Sequence, residues 1–149
     1  MPHFTLQISS QGPILLVYIG VSQARQAALT AAGQQIPQPV PIQALIDTGA
    51  SGTCVDPSVL STLGLTPTGV VSVNTPSTGN QPHIAQQYDV SLVIPGGLPT
   101  HPQLWFANVP VIAAQLLVAQ GFQALIGRDI LADCLFTYNG QEGQFTLAY

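Results

Sequence analysis

Apolar and polar residues alternate along Phe4-Thr5-Leu6-Gln7-Ile8, the two-residue period of a strand with one face inside and one in water. A continuous apolar run over residues 14–19 follows and reads as a more deeply buried strand. The alternation then stops. Residues 22–32 are rich in Ala and Gln and end at Gly33, which fits a short helix, and Pro37, Pro39 and Pro41 exclude helix or inner strand just beyond it. The stretch from about 22 to 40 therefore reads as a surface insertion between two strands.

Strand character returns at residues 42–46 and delivers Asp47 onto a turn, after which Thr53-Cys54-Val55 resumes an extended path. Asp56-Pro57 offers a capping side chain followed by proline at the first helical position, with Gly64 placed to end a helix over 57–63. Residues 70–73 and 88–94 read as strands around Thr75-Pro76-Ser77-Thr78-Gly79-Asn80-Gln81-Pro82, a segment made of turn formers. Gly96, Gly97 and Pro99 mark another turn, residues 103–107 a strand with Trp105 and Phe106 as core, and residues 111–120 a helix too uniformly apolar to define a face. A strand over 124–126 stops at Gly127 and continues as a helix to Cys134. Asn139-Gly140-Gln141-Glu142-Gly143 then joins two closing strands as a hairpin. The pattern is all-β in class, without a repeat period, and 149 residues suit one domain over 1–149.

Composition narrows the possible partners. Charged residues make up 5% of the chain, there is no lysine, and Arg25 and Arg128 are the two fixed cations within a net charge of −4. Nothing here can neutralise a row of phosphates, which excludes nucleic acid and disfavours an acidic membrane surface. With 46% hydrophobic residues, the polar cover must come from Gln, Ser, Thr and Asn, so the surface is either partly covered by a partner or simply glutamine-rich. No apolar run reaches the roughly 20 residues that span a bilayer. The amino terminus shows no secretory pattern either, and a cytoplasmic chain is expected. Cys54 and Cys134 lie far apart without metal spacing, and His3, His83 and His101 are scattered, so two free thiols, no metal and no cofactor are expected.

The candidate chemistry sits at Asp47-Thr48-Gly49-Ala50-Ser51, directly behind the apolar Ala44-Leu45-Ile46. Acid/base cleavage of a peptide by carboxylates needs two of them close enough to share one proton. The motif occurs once. Alone it is a short match; about eighty residues further on, however, an apolar strand ends in Leu125-Ile126-Gly127 and continues as Arg128-Asp129-Ile130-Leu131. The two motifs, with a turn-rich hairpin between them, resemble the paired motifs of retropepsin-like aspartic proteases over roughly residues 41–149.

That resemblance implies a closed β-barrel half with one or two short helices, assembled as a two-fold homodimer that supplies the second carboxylate from the partner's Asp47. It implies that Asp47 is catalytic, that Thr48 holds the partner's matching loop, that Gly49 lies against substrate, and that Ala50 and Ser51 complete the turn. Thr75, Pro76, Ser77, Thr78, Gly79 and Asn80 would form a flap over the peptide. Leu125, Ile126 and Gly127 would pack behind the Asp47 turn, with Arg128 and Asp129 structural. Ser51 stands where many retroviral members carry an acidic residue, so Arg128 must find another partner: Asp56, Asp129, Asp133 or local carbonyls. Extra length puts in doubt an interface built from chain ends. Ala50, where more acid-loving relatives carry a hydroxyl, implies an optimum from mildly acidic toward neutral. The function so implied is an aspartic endopeptidase acting on an extended protein or peptide substrate. The alternative is a catalytically silent dimeric module that binds peptides or scaffolds partners, and a third reading has residues 22–38 filling the cleft.

Overall fold

The computed structural model describes residues 1–116 and 118–149. In chain order these form β1 (His3–Gln7), β2 (Ile14–Val21), α1 (Gln23–Ala31), β3 (Val40–Ile46), β4 (Cys54–Val55), α2 (Pro57–Thr62), β5 (Gly69–Val73), β6 (His83–Ile94), β7 (Leu104–Ala113), β8 (Ala124–Ile126), α3 (Arg128–Leu131), β9 (Leu135–Asn139) and β10 (Gln144–Ala148). Strands dominate, and the three helices are short.

Six strands close into a barrel in the order β2, β3, β8, β4, β7 and β6, with β6 returning to β2 and β5 attached outside β6. The closing pair runs from Tyr18 opposite Val93 to Val21 opposite Val90. The run that looks continuously apolar in β2 is two-faced: Leu15, Val17, Ile19 and Val21 are 2% exposed or less, while Leu16 is 37% exposed. Leu92, Ile94, Val109 and Val111 meet them from β6 and β7, and Leu60 and Ile130 from α2 and α3 plug the same core. Burial of this kind is the main favourable term in the fold, at roughly 25 cal/mol per Å² of apolar surface.

One parallel pairing sets the geometry of the rest. β3 runs beside β8 with Leu45 opposite Leu125 and Ile46 opposite Ile126. Because the pair is parallel, the turns that follow both strands emerge at the same end of the barrel. Asp47 and Gly127 are thereby neighbours.

Local signals act as read at several ends. Ser22 caps α1 by accepting from the Arg25 N–H, and Gly33 leaves the helix at φ 66°. Asp56 caps α2 with Pro57 in its first turn, and Gly64 follows at φ 65°. The hairpin tip ties itself together: Thr78 N–H donates to the Thr75 carbonyl at 3.0 Å, and Thr75 N–H donates to Thr78 Oγ1 at 2.9 Å.

Three expectations are corrected. Residues 111–120 are not a helix: Val111 and Ile112 extend β7 opposite Tyr88 and Gln87, and Ile112 also pairs with Cys54. Uniform apolarity there reflects a strand held on both edges, and only Val118–Gln120 make a single 3-10 turn, with Leu117 outside the described residues. Trp105 is not core but 53% exposed, since the β7 alternation turns it outward, while Phe106 packs against the core. The insertion does not enter the Asp47 region; α1 lies against β7, where Ala24 N–H donates to Asn108 Oδ1 at 3.4 Å.

A second sheet holds the two ends of the chain, in the order β1-β10-β9. His3 lies opposite Ala148, and Gln144 opposite Asn139. The ends pair with each other within one chain. Both edges of β10 are thus taken internally, so a partner's terminus cannot pair with it as chain ends would in an interface between subunits. No helix among the described residues is long and apolar enough to cross a membrane.

Asp56 is a heavily used carboxylate of the scaffold. Its Oδ1 accepts from Ser58 N–H at 2.9 Å and from Ser58 Oγ at 2.6 Å, and its Oδ2 accepts from Leu116 N–H at 3.1 Å. Burial alone would raise its pKa, but these donors outweigh it and hold the carboxyl below its usual 3.8. A folded-state pKa below the unfolded one adds stability that is complete above the unfolded value and lost as pH falls through the folded one. Asp56→Ala is expected to cost about 1–3 kcal/mol in denaturant melts near neutrality, with the gap to wild type closing at strongly acid pH.

Candidate active site

Asp47 sits at the end of β3, where its N–H donates to the Ile126 carbonyl at 3.0 Å and so continues the β3–β8 ladder by one rung. The chain then turns sharply. Gly49 N–H donates to Asp47 Oδ1 at 2.9 Å, and Ala50 N–H to the Asp47 carbonyl at 3.2 Å. A Cβ at Gly49 would stand 3.1 Å from that same Oδ1, so glycine both leaves room for the carboxylate and supplies the donor that orients it. Thr48 is exposed, and its hydroxyl has no hydrogen bond among the described residues.

The turn after β8 grips this one. Arg128 N–H donates to the Ala50 carbonyl at 3.0 Å, and Arg128 Nη1 donates to the carbonyls of Thr48 at 2.8 Å and Gly49 at 3.3 Å. With Ser51 in place of an acidic residue, the guanidinium caps carbonyls rather than forming an ion pair. Gly127 allows the approach: a Cβ there would lie 2.5 Å from the Gly52 carbonyl carbon. No other residue fits that contact.

Thr53 joins the two turns from beneath and is missed by the sequence reading. Fully buried, its Oγ1 donates to Asp129 Oδ1 at 2.8 Å and accepts from Gly127 N–H at 3.1 Å, while its N–H donates to Asp129 Oδ2 at 3.0 Å. Asp129 also accepts from Ile130 N–H at 2.9 Å, so it binds the start of α3 to the strand entering β4. Its position in the first turn of α3 is the only part of this visible in sequence. A threonine two residues past the motif carries no period or spacing that marks it.

Asp47 opens onto a cleft of about 410 Å³ lined by the turn residues Gly49, Ala50, Ser51 and Gly52, by Cys54, Ile112 and Leu125 on the barrel side, and by Val73, Asn74, Thr75 and Pro76 of the hairpin. The hairpin base therefore overhangs the carboxylate. Ser77, Thr78, Gly79 and Asn80 lie at the tip, beyond the lining. No residue of the 22–38 insertion reaches the cleft, which removes the reading in which it fills the site. An apolar groove beside β1 is smaller, about 260 Å³, and has no titratable lining residue.

Cys54 lines the cleft with its Sγ 3.8 Å from the Gly52 carbonyl. Burial first, then the negative charges of Asp129 and Asp47, push its pKa above the usual 9.0, so it is a neutral thiol near pH 7. Cys134 is likewise free, and burial with a smaller contribution from Asp133 pushes it up to about 11. Among the described residues, no cluster of His, Cys, Asp or Glu suits a metal ion.

Comparison with known proteins places this arrangement. The family model described as aspartyl protease matches residues 27–130, a span that holds both the Asp47 turn and the Gly127-Arg128-Asp129 turn. The chain belongs to the aspartyl protease family. Its fold is similar to the crystal structure of a retropepsin-like aspartic protease from Rickettsia conorii, with a TM-score of 0.59 and 19% identity over 99% of this chain and 90% of that one. The fold is retropepsin-like. No curated protein matches the chain.

Removing the Thr53 hydroxyl should loosen both turns at once. Thr53→Val leaves the buried Gly127 N–H without a partner and takes one of two donors from Asp129 Oδ1, and is expected to cost about 1–3 kcal/mol by thermal or chemical unfolding. Thr53→Ser, which keeps the hydroxyl, is expected to recover most of that.

Proposed function

We propose that the chain is an aspartic endopeptidase whose active site is completed by the Asp47 of a second copy. The observation that carries the reading is the Asp47 carboxylate itself, oriented by Gly49 N–H at 2.9 Å and open to a cleft in which it is the one acidic group among the described lining residues. Asp129, the nearest acidic residue in the motif, is committed to Thr53 and Ile130 and does not line the cleft. A second carboxylate for acid/base work therefore has to come from outside the chain. The exposed Thr48 hydroxyl next to Asp47 is free to meet a matching loop across a two-fold axis.

In the mechanism that follows, the pair of Asp47 carboxylates holds one proton between them. The ionised member takes a proton from a water lying between the two as the water oxygen attacks the scissile carbonyl carbon. The protonated member gives its proton to the carbonyl oxygen, forming a tetrahedral diol. Collapse of the diol breaks the C–N bond, with the departing nitrogen protonated by a carboxyl group and the dyad restored. No covalent enzyme intermediate forms.

The peptide would lie extended between the Asp47 turn and the overhanging hairpin, adding main-chain hydrogen bonds as a strand does. The cleft walls are apolar at Val73, Ile112 and Leu125 and small at Ala50 and Gly52, which suits apolar side chains beside the scissile bond. Closure of the Thr75–Thr78 turn over the peptide would exclude water. With Ala50 offering no hydroxyl to the dyad, the optimum is expected between mildly acidic and neutral pH.

Asp47→Asn tests the reading. Wild type incubated with a diverse peptide library across pH is expected to cleave, with inhibition by a transition-state mimic of aspartic proteases. The variant is expected to lose at least about a thousandfold in rate while keeping its fold and its self-association. An Asn variant with full biological activity, or a wild type silent at every pH, would instead favour the dimeric binding or scaffold module.

A further inference from the structure

The small sheet that holds the chain ends has two outer strands, β1 and β9, each paired on one side. In the order β1-β10-β9, β10 is paired on both sides and β9 on one side. At the other end of the sheet, β1 is crowded at Phe4 by the loop after β6, where a Cβ at Gly97 would sit 2.5 Å from Phe4 Cβ. Exposed edges in soluble proteins are commonly blunted by charge, proline or a bulge. β9 reads Leu-Phe-Thr-Tyr-Asn and has none of these.

The side chains of β9 are left half-finished in a specific way. Phe136 and Tyr138 lie on the face shared with the buried Leu147 and Phe145, which are their direct partners across the ladder. Phe136 is packed, with its ring 6.0 Å from that of Phe145. Tyr138, on the same face, is 56% exposed, and Leu135 on the opposite face is 58% exposed. The core layer beneath the sheet thus runs out at β9 rather than being closed by polar residues.

We infer that β9 pairs antiparallel with β9 of a second copy across a two-fold axis near Thr137, joining two three-stranded sheets into one of six. The inference rests on the homodimeric reading of the active site and names the surface that would bring the two copies together. An antiparallel strand centred on the axis is self-complementary: Thr137 faces its own copy, and Phe136 faces the partner's Tyr138, which extends the aromatic layer over the exposed ring. Position favours this edge as well. Arg128, which grips the Asp47 turn, is seven residues before Leu135 through α3, so the edge begins at most about 20 Å of chain from that turn. Of the other free edges, β5 belongs to the hairpin over the cleft, where peptide must enter, and β1 is crowded at Phe4 by the loop after β6. Five paired residues supply only part of the roughly 800 Å² per partner that a stable dimer buries, and the meeting of the two Asp47 turns supplies more.

Sedimentation equilibrium of the full chain, with peptide cleavage measured on the same samples, tests the inference. Thr137→Lys places two like charges opposite each other on the axis, and Tyr138→Asp puts a charge under the joined sheet. Each is expected to weaken dimerisation at least tenfold with the far-UV circular dichroism of the monomer unchanged. Val70→Lys on the β5 edge is expected to change it less than twofold. Thr137→Cys is expected to form a disulfide-linked dimer on mild oxidation, which the wild type with its Cys54 and Cys134 does not. Folded Thr137→Lys and Tyr138→Asp variants that dimerise like wild type, or loss of dimer in Val70→Lys alone, would overturn the β9 interface and leave the protease reading standing. A dimer that responds as expected but never cleaves peptide would support β9 and remove the protease reading. A wild type that stays monomeric at millimolar concentration would overturn both.

Discussion

The parallel pairing of β3 with β8 is the contact on which the rest of the structure depends. Two strands eighty residues apart in sequence end side by side, and the Asp47 N–H donates to the Ile126 carbonyl as the last rung of their ladder. Every feature of the candidate site follows from that meeting: the Arg128 grip on the Thr48 and Gly49 carbonyls, the close approach of Gly127 to Gly52, and the buried Thr53 hydroxyl between the two turns. Parallel neighbours cannot be made by a hairpin, and the long excursion through the β5–β6 hairpin and β7 is what allows this one. The same excursion provides the overhang of the cleft.

The arrangement invests its hydrogen bonds in the backbone of the turn rather than in the carboxylate. Asp47 receives one donor, from Gly49, and faces the cleft, whereas the carbonyls and amides around it are fixed by Arg128, Thr53 and Asp129. A rigid turn with a freely presented acid is what general acid/base chemistry asks of a scaffold. Among the described residues that line the cleft, Asp47 is the one acid.

Much of this was legible in the sequence because it rests on local rules. Alternation at Phe4 to Ile8, the Asp56-Pro57 cap and the glycines after α1 and α2 act through nearest neighbours, and the chain has few charges to confuse the pattern. The two motifs around Asp47 and Gly127 stood out by residue type. What was not legible depends on long-range pairing. Val111 and Ile112 resemble a helix until Tyr88, Gln87 and Cys54 are known to flank them. Trp105 resembles core until its place in the β7 alternation turns it outward. Thr53 looks like any strand threonine until Asp129 and Gly127 arrive from the other end of the chain. Arg128 loses its expected acidic partner to Ser51 and takes carbonyls instead, an outcome that spacing does not distinguish from an ion pair with Asp56, Asp129 or Asp133.

The central claim is that one chain carries half of an active site. Subunit mixing tests it most directly: wild type and Asp47→Asn are combined in equal amounts, dissociated, reassociated and assayed for peptide cleavage. Random pairing leaves about one quarter of the pairs with two Asp47 carboxylates, so about one quarter of the all-wild-type activity per pair should remain. Retention of about one half, as if each wild-type chain worked regardless of its neighbour, would contradict the account.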